Sequence, residues 1–219
     1  AKKQPSAKAI HLLSFFITLL GVVLESLLIG AVISSTDAAS VFSVLRSKKL
    51  NLRYGTASIL ELESGSNDPW AYMLTVIILS VMKGGATAGG FVASLLAQVF
   101  FGVGFGALIS LGAVYLIKRV RFDAAGFDAI FVTAIAILSY ALPSAVGGNG
   151  YLSCYIVGIV LGNTKISGKT ALVHFFDGIT GFTQILLFFL LGLLAFPSQM
   201  PSIILPAAAI ALFLTFVAR

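Results

Sequence analysis

Apolar runs of about 20 residues recur along the whole chain, and they decide what it can fold into, because a run of that length spans the roughly 30 Å of a bilayer core as helix. With 58% hydrophobic and 10% charged residues, an ordinary soluble domain is excluded. Lipid offers no hydrogen bonds, so such segments must satisfy their backbone internally, as helices. The fold class expected is all-α: a polytopic membrane helix bundle with discontinuous helices. The net charge of +6 is then a matter of orientation in the bilayer rather than of nucleic acid. Cys154 stands alone in an apolar stretch, so no disulfide framework is available and the thiol reads as a packed small residue.

Polar punctuation divides the chain into spans. The first runs from Ile10 to about Leu45, interrupted at Ser34-Ser35-Thr36-Asp37. Others cover Gly55 to Met82, Gly90 to Ile117, Phe127 to Ala145, Tyr151 to Leu161, Ala171 to Phe196, and Ile203 onward. Between them, residues 46–53 carry four positive charges, 118–125 three and 163–170 two, against Lys83 alone on the opposite side. By the positive-inside rule these three loops face the cytoplasm of a multi-pass protein. Lys2, Lys3 and Lys8 break the parity. A single helix from Ile10 to Leu45 would be about 54 Å long, so either it is long and tilted or a piece of the natural chain is missing near Gly21–Glu25. The charges favour the second. Both ends of the sequence read as cut.

The chemistry lies in acids at membrane depth. Each costs roughly 2.5–3.5 kcal/mol on insertion scales, which a chain sustains where something binds to them. On a helix, Glu61, Ser64 or Gly65, and Asp68 share one face, while Glu63 and Asn67 share a neighbouring one. Pro69 deprives the Gly65 carbonyl of its donor and loosens the ladder there. A carboxylate, hydroxyls and a freed carbonyl are hard oxygen ligands suited to a small cation. Ser34 to Asp37 are poor residues for an apolar helix interior and predict a second break. Two breaks packed together would make one ion site. The bland alternative is that these groups bond only to each other and hold helices together.

At these residues the chain resembles the cation/proton antiporter superfamily, in particular the bacterial monovalent cation:proton antiporter-1 group of NhaP-like transporters. Thr36-Asp37 looks like that family's Thr-Asp crossing, and Glu63-Ser64-Gly65-Ser66-Asn67-Asp68 looks like its Glu-Ser-x-x-Asn-Asp motif. The resemblance implies exchange of Na+ or K+ for H+ across a bacterial inner membrane, with no cofactor and no enzymatic activity. It implies that Asp68 binds cation or proton, with Ser64 and Thr36 as further cation ligands. Asp37 and Asn67 would bridge the two broken helices. Asn67 stands where electrogenic relatives have Asp, which suggests electroneutral exchange. Glu63 would pair with a buried Arg, for which Arg219 is one candidate, and Glu61 is a supporting acid. The family's transport domain has more helices than the seven or eight for which this chain has room. The sequence is therefore read as 1–219, part of one transport domain, a homodimer in full-length form.

Rival readings are a cation channel, an intramembrane enzyme and a structural subunit. A channel predicts polar residues along a whole helix, whereas here they cluster at mid-depth. An enzyme lacks a base: His11 and His174 lie near segment ends without metal-site spacing, and His174 with Asp177 reads as a helix-start cap. Gly102-x-x-x-Gly106 and Gly158-x-x-x-Gly162 permit close helix contacts without naming a function.

Overall fold

The computed structural model describes residues 7–36, 56–84, 88–119, 126–166 and 168–217. Their regular structure is helical throughout: α1 (Ala7–Ile33), α2 (Thr56–Met82), α3 (Ala88–Arg119), α4 (Phe127–Ala145), α5 (Gly150–Asn163), α6 (Lys169–Leu194) and α7 (Met200–Phe216), with a short 3₁₀ turn at Pro197–Gln199. By length and composition, the segments Gly89–Arg119, Phe127–Ala145, Lys169–Leu194 and Pro197–Phe216 are long and apolar enough to cross a membrane. The chain is an all-α, multi-pass membrane protein.

Two compact units divide it, residues 1–167 and 168–219. In the first, α5 packs along α3 and α4, and α1 packs on α2. The core lies where α3, α4 and α5 meet: Ala113, Ile135, Val157 and Leu161 are buried, with Ile109, Phe131 and Val132 against them. Gly102 and Gly106 let α5 approach α3 closely. A Cβ at Gly106 would lie 3.1–3.2 Å from Ser153 and Ile156, and one at Gly102 would lie 2.9 Å from the Asn149 carbonyl. A Cβ added at Gly158 or Gly162 would meet nothing within 4 Å, so among the described residues only the first small-residue pair sits at a close helix approach. Cys154 links α5 to α4, its Sγ 3.0 Å from Ser139 Oγ and 3.3 Å from the Ala136 carbonyl.

The α4–α5 turn is built for a tight reversal. Gly147, at φ 79°, takes the left-handed conformation open to glycine. Gly148 N–H then donates to the Pro143 carbonyl and Gly147 N–H to that of Ser144, satisfying the free carbonyls at the end of α4. Asn149 caps α5, its Oδ1 accepting from Leu152 N at 3.1 Å. Its own N–H donates to the Gln98 carbonyl of α3. Gln98 is ten residues into α3, so the turn stops about 15 Å short of the start of that helix.

α1 runs without interruption through Gly21–Glu25 and ends at Ile33, where Ser34 Oγ and N–H both close on the Ala31 carbonyl. Ser35 and Thr36 continue as non-helical chain. The first expected break therefore coincides with a helix end. The second does not: α2 passes through Pro69 as a continuous helix. Proline removes one ladder bond and one donor without ending the helix, and Asn149 and Tyr155 bond to the Pro69 and Leu62 carbonyls.

In the second unit, α6 follows Gly168, at φ 69°, and no side chain caps it. His174 and Asp177 lie in the interior turns of α6, which overturns the capping role expected of them. Neither α6 nor α7 buries a residue within the described chain, as lipid-facing or partner-facing helices do.

Candidate functional site

The end of α1 meets the middle of α2. Asp68 lies twelve residues into α2, about 18 Å along it. Three polar contacts define the junction. Ser64 Oγ donates to the Thr36 carbonyl. Asn67 Nδ2 donates to Thr36 Oγ1 at 2.9 Å. Ser35 Oγ donates to Asp68 Oδ1 at 2.5 Å. Ser34 Oγ, as above, turns back on α1. The spacing of Ser64, Asn67 and Asp68 at i, i+3 and i+4 puts all three on the side of α2 that the non-helical chain crosses.

Thr36 is the hub. Both of its oxygens accept from α2, one from a hydroxyl and one from an amide, and this fixes the crossing chain against the helix. Ser64 is buried, Asn67 half-buried and Asp68 exposed within the described residues. The site thus has a closed inner side and a carboxylate that remains reachable. Its donors are all oxygen: the Asp68 carboxylate, the Ser35 and Ser64 hydroxyls, and the Thr36 carbonyl and hydroxyl. Such a set matches an alkali cation by hardness, with one negative charge for one positive ion. Among the described residues no group of three His, Cys, Asp or Glu gathers, so a soft-ligand metal centre is not built from them.

Thr36, Ser64, Asn67 and Asp68, expected as site residues, thus come together. Glu63 is exposed, its carbonyl accepting from Ser66 Oγ at 2.8 Å, and Glu61 lies in α2 two residues earlier. Asp37 and Arg219 lie outside the described residues, and with them the expected Glu63–Arg pair and the bridging role of Asp37.

Of three polar residues next to this cluster, sequence placed Ser35 only within the expected break and did not single out Asn149 or Tyr155. Ser35 holds the Asp68 carboxylate. Asn149 Nδ2 donates to the Pro69 carbonyl at 2.9 Å, and Tyr155 Oη donates to the Leu62 carbonyl at 3.1 Å. These contacts join residues 33, 80 and 93 positions apart, beyond any local periodicity. The signal within reach was Asn149 between two glycines ahead of an apolar run, which is a cap pattern.

Residues 7–219 match the family described as sodium/hydrogen exchanger, transmembrane. A K(+)/H(+) antiporter NhaP2 of Shewanella oneidensis is 40% identical over 201 residues, covering 90% of this chain and 34% of the relative. A K(+)/H(+) antiporter NhaP of Alkalimonas amylolytica is 39% identical over 199 residues, with the same coverage of 90% and 34%. The Na(+)/H(+) antiporter NhaS2 of a Synechocystis species is 28% identical over 194 residues, covering 84% of this chain and 34% of the relative. No solved structure matches. The chain spans about a third of the length of these relatives.

Proposed function

Since the chain belongs to the transmembrane sodium/hydrogen exchanger family, we propose that it is the ion-binding portion of a secondary transporter that exchanges K+ or Na+ for H+ at Asp68. The observation that carries this reading is the placement of Ser35 and Thr36 on Ser64, Asn67 and Asp68, which gathers hard oxygens around one carboxylate. Relatives named for K(+)/H(+) exchange stand at 39–40% identity and one named for Na(+)/H(+) exchange at 28%, so K+ is the first ion to test. On the same reading the protein sits in a bacterial inner membrane, as part of a larger and dimeric transport domain.

The mechanism is competition for one charge. A proton on Asp68 removes the main cation ligand. A bound cation favours the ionised form and so opposes the proton. If the loaded site can face either side while the empty charged site crosses poorly, a proton gradient drives cations the other way. Asn67 is neutral at pH values of interest, so the site carries one titrating charge per cycle, and exchange of one cation for one proton moves no net charge.

The test is cation-induced fluorescence dequenching in acid-loaded vesicles holding the full-length transporter. Addition of K+ or Na+ is expected to collapse the pH gradient. Lowering the pH on the cation side should raise the apparent KM for the cation and leave Vmax nearly unchanged at saturation. Clamping the membrane potential at different values should not alter the initial rate. A channel would instead respond to the potential and need no opposing proton flux.

A further inference from the structure

Two residues of the α5 segment fasten α2 immediately beyond either end of its acidic stretch. The Asn149 amide reaches the Pro69 carbonyl at 2.9 Å, and the Tyr155 hydroxyl reaches the Leu62 carbonyl at 3.1 Å. The stretch between these two carbonyls contains Glu63, Ser64, Asn67 and Asp68. The Tyr155 ring also covers Gly65 so closely that a Cβ there would lie 2.6 Å from its Cε2. One turn nearer the α4–α5 turn, the rings of Tyr151 and Tyr72 stand 4.5 Å apart. α5 therefore follows α2 antiparallel along the whole acidic stretch.

This stretch is where α2 most needs outside support. Pro69 has no N–H to offer the Gly65 carbonyl, so one rung of the helix ladder is missing inside the ion-binding segment. Asn149 is itself fixed: it is 1% exposed, caps α5 through Oδ1, and ties its backbone to Gln98 of α3. It thus transfers the rigidity of the α3–α4–α5 core to the carbonyl next to Asp68. A ligand set loosened by even about 1 Å loses much of its affinity, and here the opposite partner, Ser35-Thr36, is non-helical chain.

We propose that Asn149 and Tyr155 are positioning residues for ion exchange: they clamp α2 at Pro69 and Leu62, so that Ser64, Asn67 and Asp68 meet Ser35 and Thr36 in fixed register. The inference rests on the exchange reading of Asp68. It predicts that the two contacts tune cation affinity without touching the ion.

Two variants of the full-length transporter test it. Tyr155→Phe keeps the ring over Gly65 and removes only the hydroxyl. Asn149→Ser keeps a side-chain acceptor to cap α5 and removes the amide donor to Pro69. Each is expected to raise the apparent KM for K+ about three- to tenfold, the value of one lost hydrogen bond, with Vmax within about twofold. Backbone hydrogen exchange over 62–72 should speed up in both, while peptides around Ala113 and Val157 keep the parent's rates. Unchanged KM together with unchanged exchange over 62–72 would overturn the clamp. So would a drop in Vmax at constant KM with faster exchange throughout α3–α5, which marks a role in folding alone. A parent that moves no ions would sink the antiport reading instead, and hydrogen exchange over 62–72 would still decide whether the clamp exists.

Discussion

Asp68→Asn is expected to abolish cation-driven proton movement, with a loss of about a hundredfold or more for both K+ and Na+. The substitution is nearly isosteric, and its Oδ1 can still accept from Ser35, which holds the carboxylate at 2.5 Å in the parent. What it removes is the negative charge and the titratable proton together. Hydrogen bonds and contacts to an ionised partner are worth roughly 1.5–3 kcal/mol, and the upper part of that range already corresponds to about a hundredfold in affinity. An amide also has no proton to trade at any pH of interest, so the exchange cycle is cut at a second point. Because Asp68 is exposed within the described bundle, the neutral side chain creates no buried defect, and the variant should reach the membrane at the parent's level. Dequenching assays on vesicles with matched protein content measure this. Exchange at the parent's rate in Asp68→Asn would remove Asp68 from the ion site and bring the channel and structural readings forward.

Much of the fold could be read from hydropathy because lipid leaves the backbone few options. Phe127–Ala145 has the same limits as apolar run and as α4, and the ends of α2 and α3 differ from those of their expected spans by no more than two residues. The crossing of Thr36 over Ser64 and Asn67 was legible too, since polar residues in the middle of an apolar helix have few other uses. Reasoning from local chemistry went astray where tertiary contacts took over. Pro69 was expected to open α2, yet the helix continues through it, with Asn149 and Tyr155 bonded to its Pro69 and Leu62 carbonyls. His174 and Asp177 resembled a cap only because the run was taken to begin at Ala171; the helix starts at Lys169, after Gly168 and with no side-chain cap. Of the two small-residue pairs, both fit the same pattern, and only packing separates Gly102 and Gly106 from Gly158 and Gly162.

The largest effect on stability is expected at Gly150. A Cβ there would lie 2.5 Å from both Ser144 Oγ and the Tyr140 carbonyl oxygen, and 2.7 Å from the Tyr140 ring. Real carbon atoms do not come so close, so the start of α5 must move. Overpacking of this kind costs about 1–3 kcal/mol per site and more for a branched side chain. For a unit of this size that corresponds to a fall in the unfolding midpoint of about 4–10 °C at fixed scan rate. Gly150→Val is expected to show this fall, whereas Gly158→Val, eight residues along the same helix with nothing within 4 Å of its Cβ position, should stay within about 2 °C of the parent. Adding Ser144→Ala should recover only part of the loss, because the Tyr140 carbonyl belongs to the α4 backbone and cannot turn aside. Displacing the start of α5 also carries Asn149 away from Pro69, so the surviving fraction of Gly150→Val should bind cations more weakly than its folded amount accounts for. Equal midpoints for the Gly150 and Gly158 variants would mean that the α4–α5 turn does not press on α4 as closely as 2.5 Å, and the anchoring of Asn149 would lose its physical basis.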